Sequence, residues 1–163
     1  MNYVGIDLGT TNSAICSYNG ETVRLYKSPD QHDVTPSAIF FDKRGKYVGS
    51  RAYASAARSP ERAAVKFKRF MGTNTPIDLS AVPRTMTPED CSAEILRTLF
   101  GYLPEEIRNS DEVGTVITVP AAFNQMQKDA TTTAATLAQI GQVALMQEPV
   151  AAVMSVMRQR KQD

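Results

Sequence analysis

Asp7 stands inside an apolar run, Val4-Gly5-Ile6-Asp7-Leu8, that breaks at once into Gly9-Thr10-Thr11-Asn12-Ser13. Such a run reads as a buried strand ending in a tight polar loop. A carboxylate there requires a cation or hydrogen-bond donors, because burying an unpaired charge is costly. Gly9 permits a sharp turn and a close backbone approach to a ligand. The hydroxyls of Thr10, Thr11 and Ser13, the Asn12 amide and the loop N–H groups supply donors. Donors beyond a carboxylate suit a phosphate whose metal ion the carboxylate helps to hold. An ordinary hairpin turn with a half-exposed Asp7 explains the same stretch.

Two further groups carry candidate chemistry. Lys66, Lys68 and Arg69 form a basic cluster. It is either a solvated face or the source of one lysine that reaches a terminal phosphate and orients the attacking water. Gln147-Glu148 follows a short apolar run at 143–146. If the strands at 3–8, 113–119 and 143–146 are parallel, Asp7 and Glu148 lie near one cleft beyond the carboxyl ends of the strands, where open α/β sheets bind ligands. Such a carboxylate pair suits Mg²⁺ held through water. The alternative for Glu148 is a helix-start carboxylate favouring the dipole at Pro149. Lys128 reads by default as a surface residue, and Met126, Met146, Met154 and Met157 as core filler. Gly45-Lys46 is followed by Tyr47, so there is no P-loop, and GxGxxG and GxSxG motifs are absent.

The elements that must position these residues follow from local signals. Three strands meander over residues 3–26, with Asn19-Gly20 as a hairpin turn. Strands at 37–41 and 46–49 follow, then an alanine-rich helix over 50–58. A second helix is expected from Ser59-Pro60 through Val65, Phe67 and Phe70 to Gly72. Residues 73–86 read as an irregular connection. Thr87-Pro88-Glu89-Asp90 starts a helix carrying Ile95, Leu96, Leu99 and Leu103 at helical spacing. Val113–Val119 is β-branched and nearly continuously apolar, as a central strand would be, and Pro120 stops it. Asn124 caps a helix to about residue 140, a strand spans 143–146, and Pro149 opens a last helix to Arg160. The expected class is mixed α/β, with the strands at 3–8 and 113–119 at the sheet centre.

Bulk properties set the frame. The 163 residues suit one domain with a core burying roughly two-thirds of the unfolded surface. A net charge of +1 gives no reason to expect nucleic-acid or membrane attraction. Cys16 and Cys91 show no CxxC spacing, and His32 is the single histidine. A disulfide framework, a zinc site and a histidine-based triad are therefore all disfavoured. The N-terminus enters a strand pattern without a basic leader, and no apolar run approaches the roughly 20 residues of a membrane span. A cytoplasmic location is expected.

Taken together and in order, these motifs resemble the DnaK heat-shock chaperone family within the actin-like ATPase superfamily. The likeness rests on Gly5–Ser13, Thr35-Pro36-Ser37, Phe67-Lys68-Arg69-Phe70-Met71-Gly72, Val116–Ala121, Phe123-Asn124 and Glu148-Pro149-Val150-Ala151-Ala152. It implies the first lobe of an actin-like (ribonuclease H-like) nucleotide-binding domain. The core subdomain would lie at about 1–36 and 111–163, a mixed βββαβα sheet flanked by helices. A small α+β subdomain would be inserted at about 37–110.

By the resemblance, ATP or ADP with Mg²⁺ is the cofactor. Asp7 and Glu148 would hold the metal through water, and Gly9, Thr10, Thr11 and Asn12 would cradle the phosphates. Lys68 would position the hydrolytic water. Pro120 with Lys128 would form the switch to a peptide-binding domain. Unfolded polypeptides, a J-domain co-chaperone and a nucleotide-exchange factor are the implied partners.

The sequence departs from the family pattern at several places. Lys128 stands where arginine is usual, and a point charge does not replace a planar fork. Ala122 replaces an aromatic residue, Ala144 a basic one, and Gln147 an asparagine, while 73–87 is short. The second phosphate loop, the adenosine lobe and the peptide-binding domain are not among these 163 residues, so weak nucleotide binding and negligible turnover are expected of them alone. A sugar- or acetate-kinase-like lobe and an actin-like filament subunit remain alternatives on the same fold.

Overall fold

The computed structural model describes residues 3–73, 75–77, 79, 85–110 and 113–147. In chain order the strands are β1 (Tyr3–Leu8), β2 (Asn12–Tyr18), β3 (Val23–Leu25), β4 (Thr35–Pro36), β5 (Ala38–Asp42), β6 (Gly45–Val48), β7 (Ala63–Val65), β8 (Gly114–Val119) and β9 (Val143–Gln147). The α-helices are α1 (Ser50–Arg58), α2 (Pro88–Phe100), α3 (Glu105–Arg108) and α4 (Gln125–Leu137). The last expected helix, from Pro149, lies outside the described residues, as does Glu148.

The main sheet runs β3-β2-β1-β8-β9, with β4 beside β2. The first three strands form the antiparallel meander expected from their alternation. Its turn is held by Asn19 Oδ1, which accepts from the N–H groups of Glu21 and Thr22 at 2.9 and 2.7 Å. β8 lies parallel to β1, and β9 parallel to β8. The sheet is therefore mixed, and β1 is its central strand. Val4, Ile6 and Ile117 are fully buried there. Full burial of such a side chain stabilises the fold by about 1.5–3 kcal/mol.

α2 and α4 pack on each other, and α2 packs on β1 and β2. Each begins in a reciprocal cap. Thr87 Oγ1 accepts from Asp90 N–H at 3.0 Å while Asp90 accepts from Thr87 N–H at 3.1 Å. Asn124 and Gln127 exchange the equivalent pair, both at 2.8 Å. These caps satisfy N–H groups that the helix leaves orphaned, which is why both start where the sequence indicates. α4 buries Ala130, Ala134 and Ala135, and α2 buries Ile95, Leu96 and Leu99. Small residues on one helix admit the larger side chains of the other.

A second sheet, β6-β5-β7, is covered by α1. It accounts for the main departure from expectation. Residues 59–72 are not one helix but a short 3₁₀ turn (Pro60–Arg62), strand β7, and a second 3₁₀ turn (Phe67–Phe70). Ala63–Val65 pairs antiparallel with Ala38–Phe40, so ladder hydrogen bonds with a distant strand replace intrahelical ones. Lys66 then adopts a left-handed conformation, φ 55°, which ends the strand and turns the chain into the second 3₁₀ segment. Among the described residues no helix is long and apolar enough to cross a membrane.

Candidate phosphate and metal site

β1 and β8 end side by side, with Asp7 opposite Thr118 in register. Thr118 Oγ donates to Asp7 Oδ1 at 3.2 Å, and the carboxylate is half-buried. Among the described residues Oδ2 has no hydrogen-bond partner. A carboxylate fixed on one oxygen and open on the other fits Mg²⁺, which keeps most of its waters and takes only one or two carboxylates.

The loop after Asp7 is closed by a ring of hydrogen bonds. Gly9 N–H donates to Ser13 Oγ at 3.2 Å, and Ser37 Oγ donates to the Gly9 carbonyl at 2.8 Å. Ser13 and Ser37 hydroxyls lie 2.7 Å apart. Each hydroxyl has one proton, and that of Ser37 is committed to Gly9, so Ser13 is the donor in this contact. Ser37 N–H also donates to the Thr11 carbonyl at 2.8 Å. The loop is so tight that a Cβ on Gly9 would stand 2.0 Å from the Asn12 carbonyl oxygen. Ser13 and Ser37 are buried, whereas Thr10 is half-buried and Thr11 and Asn12 are exposed. A cavity of about 280 Å³ opens beside the loop, lined by Thr10, Thr11, Ser37, Tyr53 and Lys66 among others.

The basic cluster is split by the fold. Lys66 and Arg69 are exposed, while Lys68 is buried at 7% exposure. Its Nζ donates to the Leu8 carbonyl at the end of β1 and lies 5.5 Å from the centroid of the Phe123 ring. The turn carrying it is seated by Gly72, φ 77°, which meets the first turn of α4 so closely that a Cβ would lie 3.0 Å from Gln127 N. Sequence spacing did not separate Lys68 from its neighbours.

The remaining candidates are placed less closely together. Pro120 follows β8 directly, and its carbonyl accepts from Phe123 N–H at 3.1 Å. Lys128 is half-buried in the first turn of α4. Its side chain makes no hydrogen bond or ion pair among the described residues. Gln147 pairs in register with Val119, at the same sheet end as Asp7. Ser13 is read from sequence as a loop donor, whereas Thr118, Ser37 and Phe123 carry no site role there. Ser37 and Phe123 do stand in motifs that carry the family resemblance, Thr35-Pro36-Ser37 and Phe123-Asn124.

The sequence profile of the family described as Hsp70 protein matches residues 3–80 and 73–161. Curated relatives include chaperone protein HscA homologs of Ralstonia pickettii and Burkholderia lata, each 36% identical over 171 aligned positions, covering 93% of this chain. That of Herminiimonas arsenicoxydans is 35% identical over the same span. The chain spans about a quarter of the length of these relatives, 27% in each case. With the profile matching from β1 through β9, this chain belongs to the Hsp70 protein family.

Proposed function

We infer that these residues form the phosphate-binding first lobe of an actin-like (ribonuclease H-like) nucleotide-binding domain, in a chaperone that uses ATP to control binding and release of unfolded polypeptides. The observation that carries this reading is the convergence at the end of β1. Asp7 is held by Thr118, the buried Lys68 donates to the Leu8 carbonyl, and the Gly9–Asn12 loop follows without a break. The core subdomain is assigned to about 1–36 and 111–163, and the inserted one to about 37–110. Family membership favours the chaperone over the kinase-like and filament readings.

In this mechanism Gly9, Thr10, Thr11 and Asn12 cradle the β- and γ-phosphates through N–H and hydroxyl donors. Asp7, with Glu148, would hold Mg²⁺ through its waters, and the metal would supply charge neutralisation of the phosphates. Lys68 acts from a fixed position, its stem packed in the core and its ammonium anchored on Leu8, so it orients a water without reorganising. Pro120 and Lys128 relay the state of the site to the client-binding part. J-domain co-chaperones and exchange factors are the proposed partners, and the cytoplasm the proposed location. Ala144 and Lys128 alter the positions from which docking and switching would be set.

Nucleotide titration of the 163-residue chain tests this. Weak ADP and ATP binding that requires Mg²⁺ and is lost in Asp7→Ala is expected, with negligible turnover. Binding indifferent to Mg²⁺ and to Asp7→Ala would overturn the site. Measurable hydrolysis lost in Asp7→Ala would overturn the expectation that these residues alone are inactive.

A further inference from the structure

The face of α1 turned toward the β5–β6 hairpin carries a second collection of polar groups. A cavity of about 440 Å³ lies there, lined by Asp42, Tyr47, Arg51, Ser55, Arg58 and Ser59 among others. It shares no lining residue with the cavity beside the phosphate loop. Arg51, Ser55 and Arg58 recur at helical spacing along α1, which brings them to one side of the helix. The Arg51 guanidinium lies 3.8 Å from the centroid of the Tyr47 ring. Stacking holds the planar fork in one orientation while its edge N–H groups stay available. Among the described residues neither Arg51 nor Arg58 has a carboxylate partner.

The opposing charges are weaker. Asp42 faces the cavity, but its Oδ1 accepts from the N–H groups of Arg44 and Gly45 at 2.7 and 3.0 Å, which ties it to the hairpin turn. The C-terminal end of α1 adds a partial negative charge near Ser59, which Arg58 in the last turn offsets. Two guanidinium groups therefore exceed the negative groups around them.

We propose that this cavity is an oxyanion site that takes a phosphate monoester dianion, held between Arg51 and Arg58 with Ser55 and Ser59 donating to the remaining oxygens. A dianion matches two guanidinium charges, and a tetrahedral phosphoryl group accepts forked donors from two sides. The phosphoryl group comes either from a small organic phosphate or from a phosphorylated residue of a protein. The site does not depend on the nucleotide reading.

The experiment is an NMR titration of the chain with inorganic phosphate, glycerol phosphate and a short phosphoserine peptide, at constant ionic strength. The Nε–Hε signals of Arg51 and Arg58 report this cavity, and the Thr11 amide reports the phosphate loop. Saturable shifts of both arginine signals are expected, with affinity falling below about pH 6 as the dianion protonates. Arg58→Gln should weaken binding about tenfold or more, as loss of a charge-assisted contact does. Asp42→Asn should tighten it. Equal affinity for glycerol phosphate and the peptide assigns a small ligand; tighter binding of the peptide assigns a protein-borne one. Shifts that do not saturate, or that survive Arg58→Gln unchanged, would overturn the proposal.

Discussion

Replacing Gly9 with alanine tests the central claim about the loop, that it exists by close backbone approach. The φ of Gly9 is not in the left-handed region, so torsional strain is not what demands glycine there. Contact is. The new Cβ would meet Asn12 O at 2.0 Å, and ordinary contact begins at 3.4 Å, so the two must separate by about 1.4 Å. Asn12 cannot simply retreat, because it opens β2 and pairs with Pro36. The strain falls on the Ser37 bonds to the Gly9 and Thr11 carbonyls, both 2.8 Å.

Overpacking costs about 1–3 kcal/mol, and two stretched hydrogen bonds cost about 1 kcal/mol each. The restricted unfolded chain returns about 0.4–1 kcal/mol. A net loss of about 2–4.5 kcal/mol is expected, lowering Tm by roughly 4–18 °C for a chain this size. Thermal and urea unfolding measure it, with a fluorescent ATP analogue reporting binding. Gly20→Ala is the control. Its φ of 93° makes alanine unfavourable by about 1–2 kcal/mol, but nothing lies within 4 Å of the new Cβ, and nucleotide binding should be unchanged. Equal stability and equal binding of Gly9→Ala and wild type would refute the close-approach argument.

Two further predictions follow from side chains. Lys68→Met keeps the apolar stem and removes the charge. Urea unfolding should shift by no more than about 1–2 kcal/mol, since the hydrogen bond to the Leu8 carbonyl is exchanged for apolar packing, while binding of Mg²⁺-ATP by the chain should weaken about tenfold, as loss of a charge-assisted contact does. ATP binding equal to wild type would remove Lys68 from the mechanism. Burial pushes the Cys16 thiol up to about 11, despite a backbone hydrogen bond from Gly5, and the Cys91 thiol up to about 12, with Asp90, Glu94 and Glu89 adding to the effect. Both folded values exceed the ordinary 9.0, so above that pH the unfolded chain loses protons that the folded chain keeps. Stability is thus full below pH 9 and falls above it, by about 1.4 kcal/mol per pH unit for each thiol that ionises on unfolding. Urea midpoints between pH 8 and 11 measure this, and a slope unchanged in Cys91→Ala would contradict it.

Much of the fold was legible in the residues. The β1 run, the Asn19-Gly20 hairpin, the Thr87 and Asn124 caps and the apolar strand before Pro120 all stand where their types indicate. Caps and turns act over three or four residues, so local chemistry decides them. The 59–72 segment shows where such reasoning stops. Ser59-Pro60 is a sound helix start, but it yields only one 3₁₀ turn. The edge of β5 then offers Ala63–Val65 a ladder that no local rule reveals.

The site divides along the same line. Sequence alone determined that Asp7 sits in a strand, that Gly9 must turn the chain, and that hydroxyls crowd the loop after it. Tertiary structure alone decided that Thr118, 111 residues away, steadies that carboxylate, and that Ser37 closes the loop with Ser13. It also buried Lys68, the lysine that the family resemblance picks out, while leaving Lys66 and Arg69, which are chemically similar and within three positions of it, exposed. The physical reason is that burying an ammonium depends on what surrounds it. The end of β1, brought against the 3₁₀ turn by packing of distant strands and helices, supplies a carbonyl to receive it, and Phe123 in the turn after β8 supplies an aromatic ring.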